Sequence, residues 1–227
     1  DGLGFKYKTE IKDHFFYFKN LLEGQRFDSI AYAIQRRTEE LLTEWINNGI
    51  KKTGIDLVVM SGGVAQNIKA NKLIWEMDGV SQLFVPPGPG DESVSIGAAY
   101  IEAIKQGTEV NKISPLADAY IGPSCGSSSI KNAMSSWNMK DWQIKEVTEQ
   151  EIAEILVSGE VIARFGASKA EFGARALGNR SIIADPRSSN TIHYINKLIK
   201  MRDFWMPFAP SILEEREKDY IINPKNI

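Results

Sequence analysis

The stretch "IDLVVMSGGVAQNIKANKLIWE", residues 55–76, decides the fold class. Ile55–Met60 is a short continuous apolar run, the pattern of a buried strand. Gly62 and Gly63 then make a turn, and Val64–Glu76 has helical spacing. Downstream, "QLFVPPGPGDESVSIGAAYIEAIKQG" repeats the order, with a strand at 82–85, a Pro/Gly loop, and a helix from Glu92 to Gln106 stopped by Gly107. Strand, glycine-bearing turn and helix in succession mark an α/β sheet. Upstream, residues 27–50 read as a long amphipathic helix with Phe27, Ile30, Ile34, Leu41, Trp45 and Ile46 on one face. Asp28 or Ser29 stands where an N-cap belongs. The aromatic run Phe15, Phe16, Tyr17 and Phe18 is expected to pack in a core, and Gly97, Ala98 and Ala99 to serve helix packing.

Residues 108–130 change character. They are rich in Pro, Gly and Ser with little periodicity, so the sequence places a linker there. The first unit is then 1–107 and the second 131–227. In the second unit, "TEQEIAEILVSG" has capping-box spacing from Thr148 to Glu151. "EVIARF" (160–165) reads as a strand, and "SSNTIHYINKLIKMRD" as a serine-capped helix carrying Ile192, Ile195, Leu198 and Ile199.

The bulk numbers exclude several classes. The 227 residues are 43% hydrophobic and 25% charged, with a formal net charge of -2. Those are ordinary globular values, and nothing global draws the chain to nucleic acid or an anionic membrane. Any anion site must be local. The single cysteine, Cys125, permits no intrachain disulfide and has no nearby base for nucleophilic work. There is no membrane-spanning run and no signal-peptide pattern, so a cytoplasmic protein is expected. His14 and His193 are isolated, and both read as structural or surface groups. The chain has the look of a piece of a longer protein.

Three places invite chemistry. Glycines between a strand and a helix, as at Gly62 and Gly63, let a backbone approach a ligand, and they equally make a plain tight turn. Asp91 follows a Pro/Gly loop and precedes a helix, where it reads as an N-cap or as a carboxylate metal ligand. The segment "EFGARALGNRSIIADPR" (171–187) gathers Arg175, Arg180 and Arg187 among glycines. Guanidinium groups grip phosphate and carboxylate oxygens in a fork. Asn179 and Ser181 add neutral hydrogen bonds, Gly173 and Gly178 free the backbone N–H groups, and Lys169 lies just upstream. The alternative is a solvated face on which these arginines pair with acids, as Asp185 is placed to do with Arg187.

Taken together, "SGGVAQN" (61–67), "FVPPGPGDESVSIGAA" (84–99), "EFGARALGNRSIIADPR" and "PFAPSILEE" (207–215) resemble the O-carbamoyltransferases of nodulation-factor and antibiotic biosynthesis. The resemblance implies the second half of an ASKHA (actin and sugar-kinase-like) domain followed by the first part of a YrdC-like α/β domain. It implies an enzyme that forms carbamoyl-adenylate from carbamoyl phosphate and ATP in the second domain. The carbamoyl group then passes to the hydroxyl of a sugar or natural product in the first, with help from a divalent metal, iron or magnesium. By this likeness Gly62, Gly63 and Asn67 line the nucleotide side and Asp91 binds the metal. Arg175 and Arg180 act in catalysis, and Lys169, Asn179, Ser181 and Arg187 bind substrate. The likeness puts a histidine pair for the metal upstream of Asp1 and further site residues beyond Ile227, so the piece alone is expected to be inactive. Ala174 and Met206 depart from the proline and arginine usual in that family. A homodimer is among the assemblies open to it. Two rivals share the fold: a tRNA threonylcarbamoyl-transfer protein, which the lack of a basic stripe disfavours, and a non-catalytic nucleotide-binding module.

Overall fold

A computed structural model describes residues 2–6, 10–138, 140, 143–166 and 169–222. The chain divides into two compact units, one up to Ile113 and one from Ser114 onward. Both units mix helices with short strands.

In the first unit, helix α1 (His14–Leu22) is followed by the long helix α2 (Phe27–Thr53), which stops where Gly54 turns left-handed at φ 72°. The chain then forms β1 (Leu57–Val59), a 3-10 turn at Gly63–Gln66, α3 (Ile68–Trp75), β2 (Gln82–Phe84) and α4 (Ser93–Lys105). β1 and β2 pair in parallel, with Val58 beside Leu83. The strand–turn–helix order therefore appears twice, and the connection between parallel strands runs through a helix as it must. α3 begins at Ile68 rather than Val64, because Asn67 leaves the helical region and caps Ala70 N at 3.1 Å. α4 ends at Lys105, and just beyond it Gly107, at φ 96°, lets Thr108 N reach back to Ala103 O.

The core lies between α2, α3 and one face of the sheet. Leu42, Met60, Ala65, Ala70, Ile74 and Val80 are buried, with Ile46, Ile50, Val58 and Leu83 packed around them. The inward stripe of α2 is thus Leu42, Ile46 and Ile50, at helical spacing of four. Phe27 and Ile34, expected on that stripe, are exposed. The continuous apolar run of β1 is buried on one face only: Val58 turns in, while Leu57 and Val59 turn out with Phe84. The aromatics Phe15, Phe16, Tyr17 and Phe18 are exposed as well, so they do not form the expected core. Asp28 does not cap α2. The cap position falls on Arg26, whose guanidinium holds Asp28 at 2.6 Å. Gly97 has open space beside it, and Ala98 and Ala99 are exposed, so none of the three packs a helix.

In the second unit, α5 (Ser127–Ser136) and α6 (Glu149–Val157) precede a β-hairpin of β3 (Ile162–Phe165) and β4 (Arg180–Ile183). The strands are antiparallel, with Phe165 opposite Arg180. The Thr148–Glu151 capping box is formed. Helix α7 (Ser189–Tyr194) widens into a π turn at Ile195–Ile199, and Ser188 holds the cap position without a side-chain bond. A short helix α8 (Glu217–Tyr220) follows. Residues expected as linker are partly built into this unit. Phe172 N bonds Ala119 O, Gly122 N bonds Ala170 O, and Ala170 N bonds Pro123 O, at 2.7–3.0 Å.

That pairing brings backbones close at Gly122, where an added Cβ would stand 2.7 Å from the carbonyl oxygen of Ala170. Gly122→Ala should destabilise the protein by about 1–3 kcal/mol in thermal or denaturant unfolding. Gly97→Ala, in open helical space, should instead stabilise it by up to ~1 kcal/mol. Equal effects would show that the 119–123 segment is not packed on 169–172.

Candidate active site

Between β3 and β4 the chain carries the arginine- and glycine-rich segment. Its centre is a carboxylate. Glu171 is 4% exposed. Its Oε1 accepts the backbone N–H groups of Leu177 (2.9 Å), Asn179 (2.5 Å) and Arg180 (3.1 Å). Its Oε2 accepts Arg180 Nε at 2.8 Å, and its backbone oxygen accepts Arg180 Nη2 at 3.0 Å. Three N–H groups and a guanidinium converging on two oxygens is the geometry with which loops bind phosphate. Here the anion is the protein's own. Burial pushes the Glu171 carboxyl up, but the Arg180 guanidinium and the N–H groups of Leu177 and Asn179 outweigh it and bring the pKa to about 2.

The rest of the segment is tied down in the same way. Gly178, at φ 115°, gives its N–H to Ser181 Oγ at 2.9 Å. Its carbonyl accepts Arg164 Nη1 at 2.5 Å, and Arg164 also reaches Asn179 Oδ1 at 3.1 Å. Asn179 Nδ2 donates to the carbonyl of Lys169 at 3.0 Å. Tyr120 donates its hydroxyl to Leu177 O at 2.7 Å, joining segment 114–124 to the loop. Beside this junction opens a cavity of about 580 Å³ lined by Ala117, Asp118, Tyr120, Ile121, Lys169 and Asn179.

The structure therefore sorts the expected anion-binding residues. Arg180 spends Nε and Nη2 on Glu171, keeps Nη1 without a partner among the described residues, and is 45% exposed in its side chain. Ser181 and Asn179 serve the loop. Arg187 is held by Asp185 through Nε and Nη2, and the pair draws the Asp185 carboxyl below its usual range. Lys169 and Arg175 are exposed, and among the described residues neither charged group has a hydrogen-bond or ion-pair partner. Glu171, Arg164 and Tyr120 carry the geometry and were not singled out from the sequence. Glu171 alone had a signal, as a lone acid opening an arginine-rich run.

In the first unit, two loops meet at the C-terminal ends of β1 and β2, the end at which open parallel sheets take ligands. Gly62 N donates to Pro89 O at 2.6 Å, and Ser61 Oγ lies 3.2 Å from Pro89 O and 3.1 Å from Ser93 Oγ. The structure so brings Gly62, Gly63 and the Asp91 loop together. Asn67 is occupied: besides capping Ala70 it exchanges two hydrogen bonds with Gln35, at 3.0 and 2.9 Å. Asp91 is exposed and does not cap α4, whose cap position is Glu92. Among the described residues no three His, Cys, Asp or Glu side chains converge. Among the described residues, then, Asp91 has no fellow ligands with which to hold a metal.

Residues 5–100 match the family model of the carbamoyltransferase N-terminus, and residues 153–226 that of the carbamoyltransferase C-terminus. An uncharacterized protein of Methanocaldococcus jannaschii is 35% identical over 195 residues, covering 84% of this chain and 32% of its own. Nodulation protein NolO of Bradyrhizobium diazoefficiens is 30% identical over 202 residues, covering 88% and 36%. Nodulation protein U of Sinorhizobium fredii is 33% identical over 185 residues, covering 80% and 31%. The chain spans about a third of the length of these relatives.

The charge state of Glu171 makes a signed prediction. Its folded pKa of about 2 lies below the ordinary 4.5, so its stabilising contribution is complete above about pH 4.5 and is lost as the pH falls through about 2. Side-chain carbon NMR should find a midpoint near 2 in the wild type and a higher one in Arg180→Gln. A wild-type midpoint near 4.5 would mean that the carboxylate is not held by these donors.

Proposed function

We infer that this chain, which belongs to the carbamoyltransferase family, contributes the donor site of an O-carbamoyltransferase. The observation that carries this reading is the cavity of about 580 Å³ beside a locked loop, with Lys169 on its wall. A cavity carrying a lysine ammonium and the Asn179 amide on its wall suits a small anionic donor such as carbamoyl phosphate. Lys169 and Arg175 take phosphate oxygens, and Nη1 of Arg180, which has no partner among the described residues, takes one more.

The chemistry fits such a site. Carbamoyl phosphate, ATP and one water give carbamoyl-adenylate, phosphate and pyrophosphate. Water first cleaves the linkage between the carbamoyl group and phosphate, releasing phosphate and carbamate, and a carbamate oxygen then forms its bond to the α-phosphorus as the bond to pyrophosphate breaks. Several anionic oxygens must then lie close together, and fixed positive donors offset their repulsion and stabilise the charge that builds up. In the second step the acceptor hydroxyl oxygen attacks the carbamoyl carbon, AMP leaves with the electron pair, and the hydroxyl proton passes to solvent. In this reading the joined loops at Gly62, Gly63 and Asp91 belong to the nucleotide and acceptor side of the reaction. The acceptor is a sugar or natural-product hydroxyl.

In the full-length protein, Lys169→Ala and Arg175→Ala should each lower carbamoyl-phosphate-dependent ATP–pyrophosphate exchange by about 10²-fold without lowering the melting temperature. Arg216→Ala, which removes only an exposed pair with Asp219, should leave exchange unchanged. Full exchange in both the Lys169 and the Arg175 variant would refute this assignment.

A further inference from the structure

We propose that Glu171 is a positioning residue for the guanidinium of Arg180, aiming its one free nitrogen at the donor. This rests on the donor-site reading above. Holding the loop needs only Oε1, which accepts all three backbone N–H groups. Oε2 does something else: it takes Arg180 Nε at 2.8 Å, while the Glu171 carbonyl takes Nη2 at 3.0 Å. Two of the three guanidinium nitrogens are therefore fixed to one residue, and the planar group can present only Nη1 outward.

The burial of the two partners differs in the way this role demands. The Glu171 side chain is fully buried at 0% exposure, whereas that of Arg180 is 45% exposed. A pair serving stability alone has no need to leave half of its cation in solvent. The carboxylate also offsets much of the positive charge, so what Arg180 offers a ligand is direction more than field. Arg180 opens β4, with its backbone paired to Phe165 of β3, so the guanidinium is anchored at both ends. Lysine would not replace it: an ammonium is a point charge and does not span Oε2 and the carbonyl while presenting a third donor.

The test is chemical rescue in the full-length protein, read as carbamoyl-phosphate-dependent ATP–pyrophosphate exchange. Arg180→Ala should lose about 10²-fold in kcat. Millimolar methylguanidinium should restore about tenfold or more of that loss while Glu171 is intact, and nothing in Arg180→Ala/Glu171→Gln. Glu171→Gln alone keeps an oxygen for the three N–H groups but turns an amide toward Nε. It should lower the kcat of exchange by about 10²-fold with the melting temperature and the KM for ATP little changed. Equal rescue in both backgrounds, or wild-type kcat in Glu171→Gln, overturns the proposal. If Glu171→Gln does not fold, Arg180→Lys decides: a lost kcat at unchanged melting temperature supports positioning, and an unchanged kcat overturns it. A wild-type protein without any exchange would instead overturn the donor-site reading beneath it.

Discussion

A buried carboxylate collecting three backbone N–H groups and one guanidinium is the constraint on which the second unit depends. Glu171, Ile195 and Asn196 are the buried residues among those described in that unit, and two of the three are polar. The unit has little apolar interior to hold its loops, so side-chain-to-backbone bonds do that work. Asn196 repeats the device: its amide reaches the carbonyls of Phe204 and Met206 and accepts Arg202 Nε at 2.6 Å. Hydrogen bonds to a charged group are about twice as strong as neutral ones, and a buried N–H left without a partner is costly. Without the Glu171 carboxylate, the N–H groups of Leu177, Asn179 and Arg180 would lose their common acceptor. The anchor of Tyr120 at Leu177 O, and with it one wall of the cavity, would go too.

The same constraint divides the basic residues into two sets. A glycine-rich loop with arginines suggests an open nest of N–H groups waiting for phosphate, but this nest is filled from within. Arg164 and Arg187 are spent on the fold, and Arg180 is spent on two of its three nitrogens. Lys169 and Arg175 are exposed and have no such partner among the described residues. On the proposed donor-site reading, the loop is rigid where it must be shaped and cationic where it must bind, which is the division preorganised catalysis needs. The first unit is built on the opposite principle, with an apolar core under the sheet and two loops tied together at the strand ends by Ser61, Gly62, Pro89 and Ser93.

Much of the scaffold was legible in the sequence, because local patterns write it. The strand–turn–helix order at 55–76 and 82–107, the Gly107 stop, the Thr148–Glu151 capping box and the strand before Gly166 all rest on contacts a few residues apart. What was not legible depended on partners. Helical spacing alone could not tell whether Ile34 or Leu42 faced the sheet, nor that the aromatics of α1 and one face of β1 would stay exposed. In the site, the arginines were visible as residue types but their commitments were not. Glu171 meets N–H groups six to nine residues away only because Gly173 and Gly178 take positive φ. Backbone donors also leave no mark in a sequence. The family likeness pointed to this segment, and the geometry separates the cations it ties down from those without a partner among the described residues.

The most direct measurement is a crystal structure of the full-length protein soaked with carbamoyl phosphate. Phosphate density beside Lys169 and Arg175, with Glu171 still bonded to the N–H groups of Leu177, Asn179 and Arg180, is the predicted result. Phosphate seated on those three N–H groups, with the Glu171 carboxylate swung away, would contradict it.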